Sequence, residues 1–129
     1  MAYHENSRKT FPAAGLINSD RLVKLTAEGV AACAAGDQPI GVTELGARMA
    51  DEPCGVRLLN TPGTVEVLAA ADVSVGQELT TAADGAVTPY GDSGPRVGVA
   101  VTAAASGGLV EMMPQYAPAP TAAETGGGA

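Results

Sequence analysis

The sequence predicts an all-β protein: a small β-barrel or sandwich of short strands, with a flexible arm before it and a tail after it. Short runs rich in valine and leucine recur between residues 21 and 113, and Gly, Pro, Asp or Asn bounds each of them. Large aromatic anchors are scarce, with no Trp, one Phe and three Tyr, so the core must consist of Val, Leu and Ile. A length of 129 residues indicates one domain.

The first 19 residues carry neither the period of two that marks a strand nor the stripe that marks an amphipathic helix. Polar residues dominate this stretch, together with Pro12 and Gly15. Such a composition cannot offset the entropy of ordering, so we expect residues 1–19 to form an extended, flexible N-terminal arm.

The predicted barrel domain spans residues 20–113. Turn residues separate its strand-like runs, with AEG at 27–29, NTPG at 60–63, ADG at 83–85 and SGG at 106–108. The segment Val42–Ala50 has room for one short helix. In chain order, the strand-like runs are RLVKL, GVAAC, PIGV, GVRLL, GTVEVLA, QELTT, GAVTPY, RVGVAV and GLVEMM.

The chain ends in PQYAPAPTAAETGGGA, residues 114–129. Pro, Ala, Gly and Thr offer little apolar surface to set against the entropy of ordering. We therefore expect this segment to be a disordered tail outside the barrel domain.

A faint internal repeat relates two parts of the domain. The stretch LVKLTAEGVAACAAGDQPIGV from Leu22 matches LTTAADGAVTPYGDSGPRVGV from Leu79 when one gap is allowed. Both run from a leucine through a turn with an acidic residue and glycine to a closing Gly-Val. One interpretation is a duplicated strand–turn–strand unit in a pseudo-symmetric barrel; the other is that unrelated β-turns share the same residues.

One motif invites an enzymatic interpretation. YGDSGP, residues 90–95, is one glycine short of the GDSGGP sequence around the nucleophile of chymotrypsin-like proteases. A serine nucleophile needs a base within hydrogen-bond reach, and the only histidine is His4, in the predicted arm. Neither Lys9 nor Lys24 lies in a motif for a Ser–Lys pair. We therefore expect Ser93 to be a turn residue and the protein not to be an enzyme.

Charge and composition exclude other classes. The net charge is −7 and no basic run occurs, which argues against nucleic acid as a partner. No apolar run is long enough to span a membrane, and the first residues lack a signal peptide, so synthesis in the cytoplasm is expected. Cys33 and Cys54 lie in no metal-binding spacing and are expected to be reduced. Residues 70–90 resemble the strands of biotinyl and lipoyl carrier domains, which carry their cofactor on a lysine. No lysine follows Lys24, so we expect no cofactor.

The segments ADVSVGQELTTAADGAVTP (71–89), RVGVAVTAAASGGLVEMM (96–113) and IGVTELGA (40–47) resemble the small head-decoration, or capsid cement, proteins of tailed phages. The group they are most similar to is the one known as DUF2190. The shared features are a Gly-x-x-Leu strand, an Asp-Gly turn, a Val-Gly-Val-Ala strand and a last strand of alternating apolar residues.

The resemblance implies a structural virion protein on the outer surface of an icosahedral head. Its partners would be the major capsid protein, whose subunits it bridges, and itself, as a homotrimer at three-fold sites. An N-terminal arm would reach along the shell. The residues of this arm that we expect to bind the capsid are Tyr3, His4, Phe11, Pro12 and Ile17.

The alternative function is that of a small β-barrel adhesion or glycan-binding module. Such a module needs an exposed aromatic platform, and most of the aromatic residues here lie in or near the chain ends. The sequence therefore favours the structural virion protein.

Overall fold

The computed structural model describes residues 8–60 and 63–117, with the backbone alone for residues 116 and 117. The predicted all-β class is confirmed: ten strands form two antiparallel sheets of five strands each. The strands are β1 Arg8–Pro12, β2 Leu22–Thr26, β3 Gly29–Ala32, β4 Gly41–Thr43, β5 Pro53–Leu58, β6 Val65–Leu68, β7 Glu78–Thr81, β8 Val87–Pro89, β9 Arg96–Ala100 and β10 Leu109–Ala117.

The two sheets have the same strand order. The first sheet runs β1-β5-β4-β2-β3, and the second runs β6-β10-β9-β7-β8, which is the same order five strands later. In each sheet a parallel bridge joins the two outer strands, at Ala13 and Val30 in the first and at Ala69 and Val87 in the second. Each sheet therefore curls on itself into a small barrel-like unit. We call residues 8–60 the first half and residues 63–117 the second half.

The hydrogen bonds outside the strands are duplicated as well. Ile17 and Ala47 exchange two backbone hydrogen bonds of 2.8 Å, and Val73 and Ala104 exchange an equivalent pair of 2.8 and 3.0 Å. The faint sequence repeat has a structural basis at its closing Gly-Val, whereas Leu79 holds the place of Val23 and not of Leu22. The duplicated unit is a whole five-stranded sheet and not one strand–turn–strand element. We call two residues counterparts when they hold the same place in these two bonding patterns.

Each half has its own apolar core. In the first half, seven buried residues pack into one cluster. Each of them has a counterpart in the second half that is buried or packed against the buried cluster there. The first set is Ala13, Ile17, Val23, Val30, Ala47, Cys54 and Val56, and the counterparts in the same order are Ala69, Val73, Leu79, Val87, Ala104, Val110 and Met112.

The two halves meet along a seam that buries part of one face of the first sheet. Leu22, Cys33 and Val42 belong to the core cluster of the second half and not to that of their own. The backbone N–H of Gly85 donates to the Cys33 carbonyl oxygen across the seam at 2.7 Å. Because apolar packing and backbone hydrogen bonds both cross it, the seam is part of the folded core.

The structure corrects both boundaries of the predicted barrel domain. Residues 8–12 of the expected arm form β1, which pairs with β5, and the boundary expected at residue 19 therefore falls inside the sheet. At the other end, β10 continues to Ala117, past the expected start of the tail at residue 114. Residues 1–7 and 118–129 lie outside the described residues. Sequence periodicity missed β1 because this strand is exposed along most of its length.

The short helix expected in Val42–Ala50 is wrong. After β4 the chain makes bends and then bridges to Ile17 through Ala47. Gly46 has a φ of 80°, outside the helical region, and a side chain there would overlap the Ile17 carbonyl oxygen. Within the described residues, the only helical segment is the single 3-10 turn Ala83–Gly85.

Candidate interaction surface

The structure places Ser93 on the exposed loop between β8 and β9. Its neighbour Gly94 has a φ of 86°, as expected of a turn glycine. No histidine occurs among the described residues, because His4 lies before them. The described residues therefore contain no histidine to serve as the base of a serine nucleophile.

The residues expected to bind the capsid are scattered. Tyr3 and His4 lie outside the described residues. Phe11 is half-buried under the Lys9 ammonium group, 5.8 Å from the ring centroid, and Pro12 is exposed at the end of β1. Ile17 is 3% exposed in the core of the first half, so this fold does not offer its side chain to a partner.

The two cysteines are structural. Both are buried, and they lie in different core clusters. Burial, assisted by the charge of Asp37, raises the pKa of the Cys33 thiol to about 12, and burial also raises the pKa of Cys54. Both thiols therefore stay protonated and weakly nucleophilic at neutral pH. No group of three or more metal-ligating side chains occurs among the described residues.

One ion pair orders the loop between β3 and β4. The Lys24 ammonium donates to the Asp37 carboxylate at 2.7 Å, and the same carboxylate accepts the Ala34 N–H at 2.9 Å. The Lys24 hydrogen bond is the main cause that lowers the pKa of Asp37, and Asp37 in turn raises the pKa of Lys24. Because the pair is solvated, its part is to shape the loop and it contributes little to stability.

Exposed apolar side chains form the most distinctive feature of the surface. One group lies on loops at one end of the first half: Leu16, Leu45 and Met49. Another lies on the second half, at Val101 and on the outward face of β10, where Leu109 and Met113 alternate with the buried Val110 and Met112. Isolated exposed apolar residues are ordinary, but groups of them mark interaction surfaces.

The sheet face of the second half is the counterpart of the face that the seam covers in the first. In the first sheet Leu22 pairs with Val42, and the second half buries both. In the second sheet Glu78 pairs with Val99 at the same place; Glu78 is exposed and Val99 is half-buried. The same architectural face is therefore a core contact in one half and open in the other.

Two surface grooves accompany these residues. One lies where the halves adjoin, has a volume of about 280 Å³ and is lined mainly by apolar residues, among them Ile40, Leu58 and Val97. The other, of about 570 Å³, runs between the two loops that carry Leu16 and Leu45. Sequence inspection missed both loop leucines as surface residues, because an isolated leucine in a loop cannot be distinguished from a core residue without the fold.

Taken together, fold and surface define a tandem β-protein: two copies of a five-stranded unit with groups of exposed apolar side chains. Among solved structures, the chain is similar to the N base of the head fiber gp8.5 of bacteriophage phi29. The TM-score is 0.74 at 24% sequence identity, with 88% of this chain and 98% of that chain covered. This likeness establishes the fold.

No protein-family model and no curated protein matches the chain. The resemblance to the DUF2190 group therefore stays a prediction. The described residues contain no helix long and apolar enough to cross a membrane.

Proposed function

We propose that this chain is a structural protein of a tailed-phage head, which decorates the outer surface of the shell and bridges subunits of the major capsid protein. The observation that carries the proposal is the fold: nearly the whole of a phage head fiber base has the fold of this chain. The sequence resemblance to capsid cement proteins points to the same place independently of the fold. The protein is made in the host cytoplasm and acts in the virion.

The partners are the major capsid protein and two further copies of this chain, as a homotrimer at three-fold sites. The seam supports self-association because it joins unlike faces of two similar units, a type of contact that can recur between copies. The second half leaves Glu78 and Val99 open where the first half is covered. The first half leaves Leu25 exposed where its counterpart, Thr81, is buried at the seam.

Catalysis and glycan binding have less support. Among the described side chains, the aromatic ones are Phe11 and Tyr90, and each has a cation near its ring, Lys9 at 5.8 Å and Arg96 at 5.5 Å. Neither ring is part of a flat platform for a sugar. The protein has no enzymatic role in this proposal, and we expect hydrolysis of an activated ester to be the same for the wild type and Ser93→Ala.

The test is co-sedimentation of the purified protein with expanded, undecorated heads of the phage that encodes it, beside unexpanded proheads. We expect saturable binding to expanded heads, with three copies at each site, and none to proheads. Absence of binding to both kinds of head would contradict a decorating role, and two copies at each site would contradict the trimer.

A further inference from the structure

Three large apolar side chains stand exposed at one end of the first half. Leu16 is 69% exposed, Leu45 is 91% exposed and Met49 is 63% exposed. We call them the apolar ridge. All three lie in loops, Leu16 between β1 and β2 and the other two between β4 and β5. Side chains exposed to this degree contribute little to the core of this chain.

The two loops that bear the ridge are held to each other. Ile17 and Ala47 exchange two backbone hydrogen bonds of 2.8 Å, which join the loop of Leu16 to the loop of Leu45. The groove of about 570 Å³ lies between these two leucines. Because backbone bonds fix the loops in place, a partner that binds here does not have to order them, which lowers the cost of association.

The second half supplies an internal control, because it has the same backbone with other residues. Ala13, Ile17 and Ala47 have Ala69, Val73 and Ala104 as counterparts, so Leu16 corresponds to Asp72 and Leu45 to Thr102. The Met49 carbonyl oxygen accepts a hydrogen bond from the Glu52 N–H, and the Ala105 carbonyl oxygen accepts the equivalent bond from the Gly108 N–H. Met49 therefore corresponds to Ala105.

Polar residues at these positions serve the fold of the second half. Asp72 accepts a hydrogen bond from the Ser106 N–H at 3.0 Å, and Thr102 accepts one from the Glu111 N–H at 3.1 Å. The same backbone therefore forms with Asp and Thr in place of the two leucines. Since the fold does not require leucine there, the ridge is available for a contact outside the chain.

We propose that the apolar ridge is the surface by which this protein docks on a subunit of the head shell; this rests on the proposed function. Charged residues flank the ridge: Arg8 donates to the Glu44 carboxylate at 2.6 Å, and Glu52 accepts the backbone N–H of Arg48 at 3.1 Å. An apolar centre with a polar rim is the anatomy of a protein–protein contact. A net charge of −7 disfavours the binding of nucleic-acid phosphates or anionic lipids at the ridge.

The test exchanges residues between the halves. The variant Leu16→Asp/Leu45→Thr places the second-half residues at the ridge, and Leu45→Thr alone changes a side chain that no core contact needs. The control is Val75→Ser, which places the first-half residue Ser19 at the corresponding end of the second half and lies outside both exposed apolar groups. Binding is measured by co-sedimentation with expanded heads, with thermal unfolding and analytical ultracentrifugation of each protein.

We expect the double variant to lose at least about tenfold in affinity for heads, Leu45→Thr to lose part of that, and the control to bind within about threefold of the wild type. Wild-type binding by Leu45→Thr and by a folded double variant would overturn the ridge as the docking surface while leaving the proposed function intact. A wild-type protein that binds no heads would overturn the proposed function and this inference with it. Loss of self-association in the variants would instead assign the ridge to a second copy and overturn the shell as its occupant.

Discussion

The two halves of this protein share a backbone plan and differ in what their surfaces meet. In the first half part of one sheet face is buried at the seam, and one end carries exposed leucines. In the second half the corresponding face is open, and the corresponding end carries Asp72 and Thr102. Positions that agree between the halves show which residues the fold requires, and positions that differ show where the fold permits other surface residues.

The agreement extends to unusual backbone conformations. Asp20 has a φ of 57°, and its counterpart Gly76 has a φ of 86°. Their N–H groups bond the carbonyl oxygens of the counterparts Thr43 and Ala100 at 2.9 and 2.8 Å. Asp and Gly are among the residues that tolerate a left-handed backbone, so the turn persists while the residue changes.

The largest difference between the halves is expected at the covered face. Leu22→Ala should destabilise the protein by about 2–5 kcal/mol, because a fully buried leucine leaves a cavity at the seam. Glu78→Ala, at the corresponding place in the open face, should change the free energy of unfolding by less than about 0.5 kcal/mol. Urea unfolding of both variants measures this, and equal losses would show that the two faces are not in different environments.

A smaller contrast is expected at two counterpart glycines. A side chain at Gly41 would overlap the Val56 side chain and lie 2.5 Å from the Arg57 carbonyl oxygen. At Gly98 it would lie 2.5 Å from Met112 Cγ and 2.7 Å from the Met113 carbonyl oxygen. Alanine at either position should cost about 1–3 kcal/mol through overpacking.

Gly41→Ala should be the costlier of the two, because valine is stiff at χ1 and methionine can adapt. Urea unfolding decides between them. The cost of Gly98→Ala should be smaller when it is introduced into a Met112→Ala protein, since the Met112 side chain that the new methyl group meets is then absent. A Gly98→Ala protein less stable than Gly41→Ala would contradict this explanation.

The burial of Cys33 at the seam should also affect how the stability of the protein depends on pH in alkaline solution. The Cys33 thiol keeps its proton in the folded protein up to about pH 12, whereas in the unfolded chain it ionises near its ordinary value of 9.0. Its contribution to stability is therefore fully present below about pH 9 and is lost as the pH rises toward 12. The wild type should lose stability faster than Cys33→Ala over this window, by at most about 1.4 kcal/mol per pH unit.

The comparison variant is Cys54→Val, which places the residue of the second-half counterpart, Val110, in the core of the first half. Because burial raises the pKa of Cys54 as well, this variant should also lose stability less steeply than the wild type. Unfolding by urea at several pH values between 8 and 12 measures the slopes. Parallel curves for the wild type and Cys33→Ala would show that the thiol does not account for the alkaline loss.

The smallest effect is expected from the ion pair across the seam. Arg21 contacts the Asp84 carboxylate at 2.6 Å, and Asp84 is mostly exposed. Asp84→Asn keeps a residue that tolerates a φ of 57° and should cost less than about 1 kcal/mol, with the difference shrinking in high salt. Glu28→Gln, in the corresponding hairpin of the first half, is the control. A salt-independent loss in Asp84→Asn would show that the carboxylate has a role other than charge.

Local pattern in the sequence was enough for most of the strands. Valine-rich runs bounded by turn residues located β2 to β10, and the Gly-Val pairs at 41 and 98 indicated a repeat. Pattern failed at β1, whose residues are mostly exposed, and in Val42–Ala50, where a bridge to Ile17 replaces the expected helix. In both cases the deciding contact is with a residue distant in the chain, and a local window cannot contain it.

The candidate surface could not be predicted from the sequence for a related reason. Ile17 and Leu16 are adjacent apolar residues, yet one is buried and the other 69% exposed. Their roles differ because the bridge to Ala47 turns Ile17 into the core and leaves Leu16 outside. Apolar character is what suggests Tyr3, Phe11 and Ile17 as capsid contacts in the arm, and that character alone does not say which side of a loop faces a partner.

By itself, the sequence determined the all-β fold class of this protein, because composition, turn residues and short valine runs act locally along the chain. It also predicted that Ser93 has no histidine beside it, since the only histidine precedes the first strand, and this expectation stays a prediction. Tertiary structure decided that the repeat is a whole five-stranded unit, that one of two like faces is buried and that the ridge is exposed. Those outcomes depend on which distant segments pair and pack, and pairing between distant segments is a property of the folded chain.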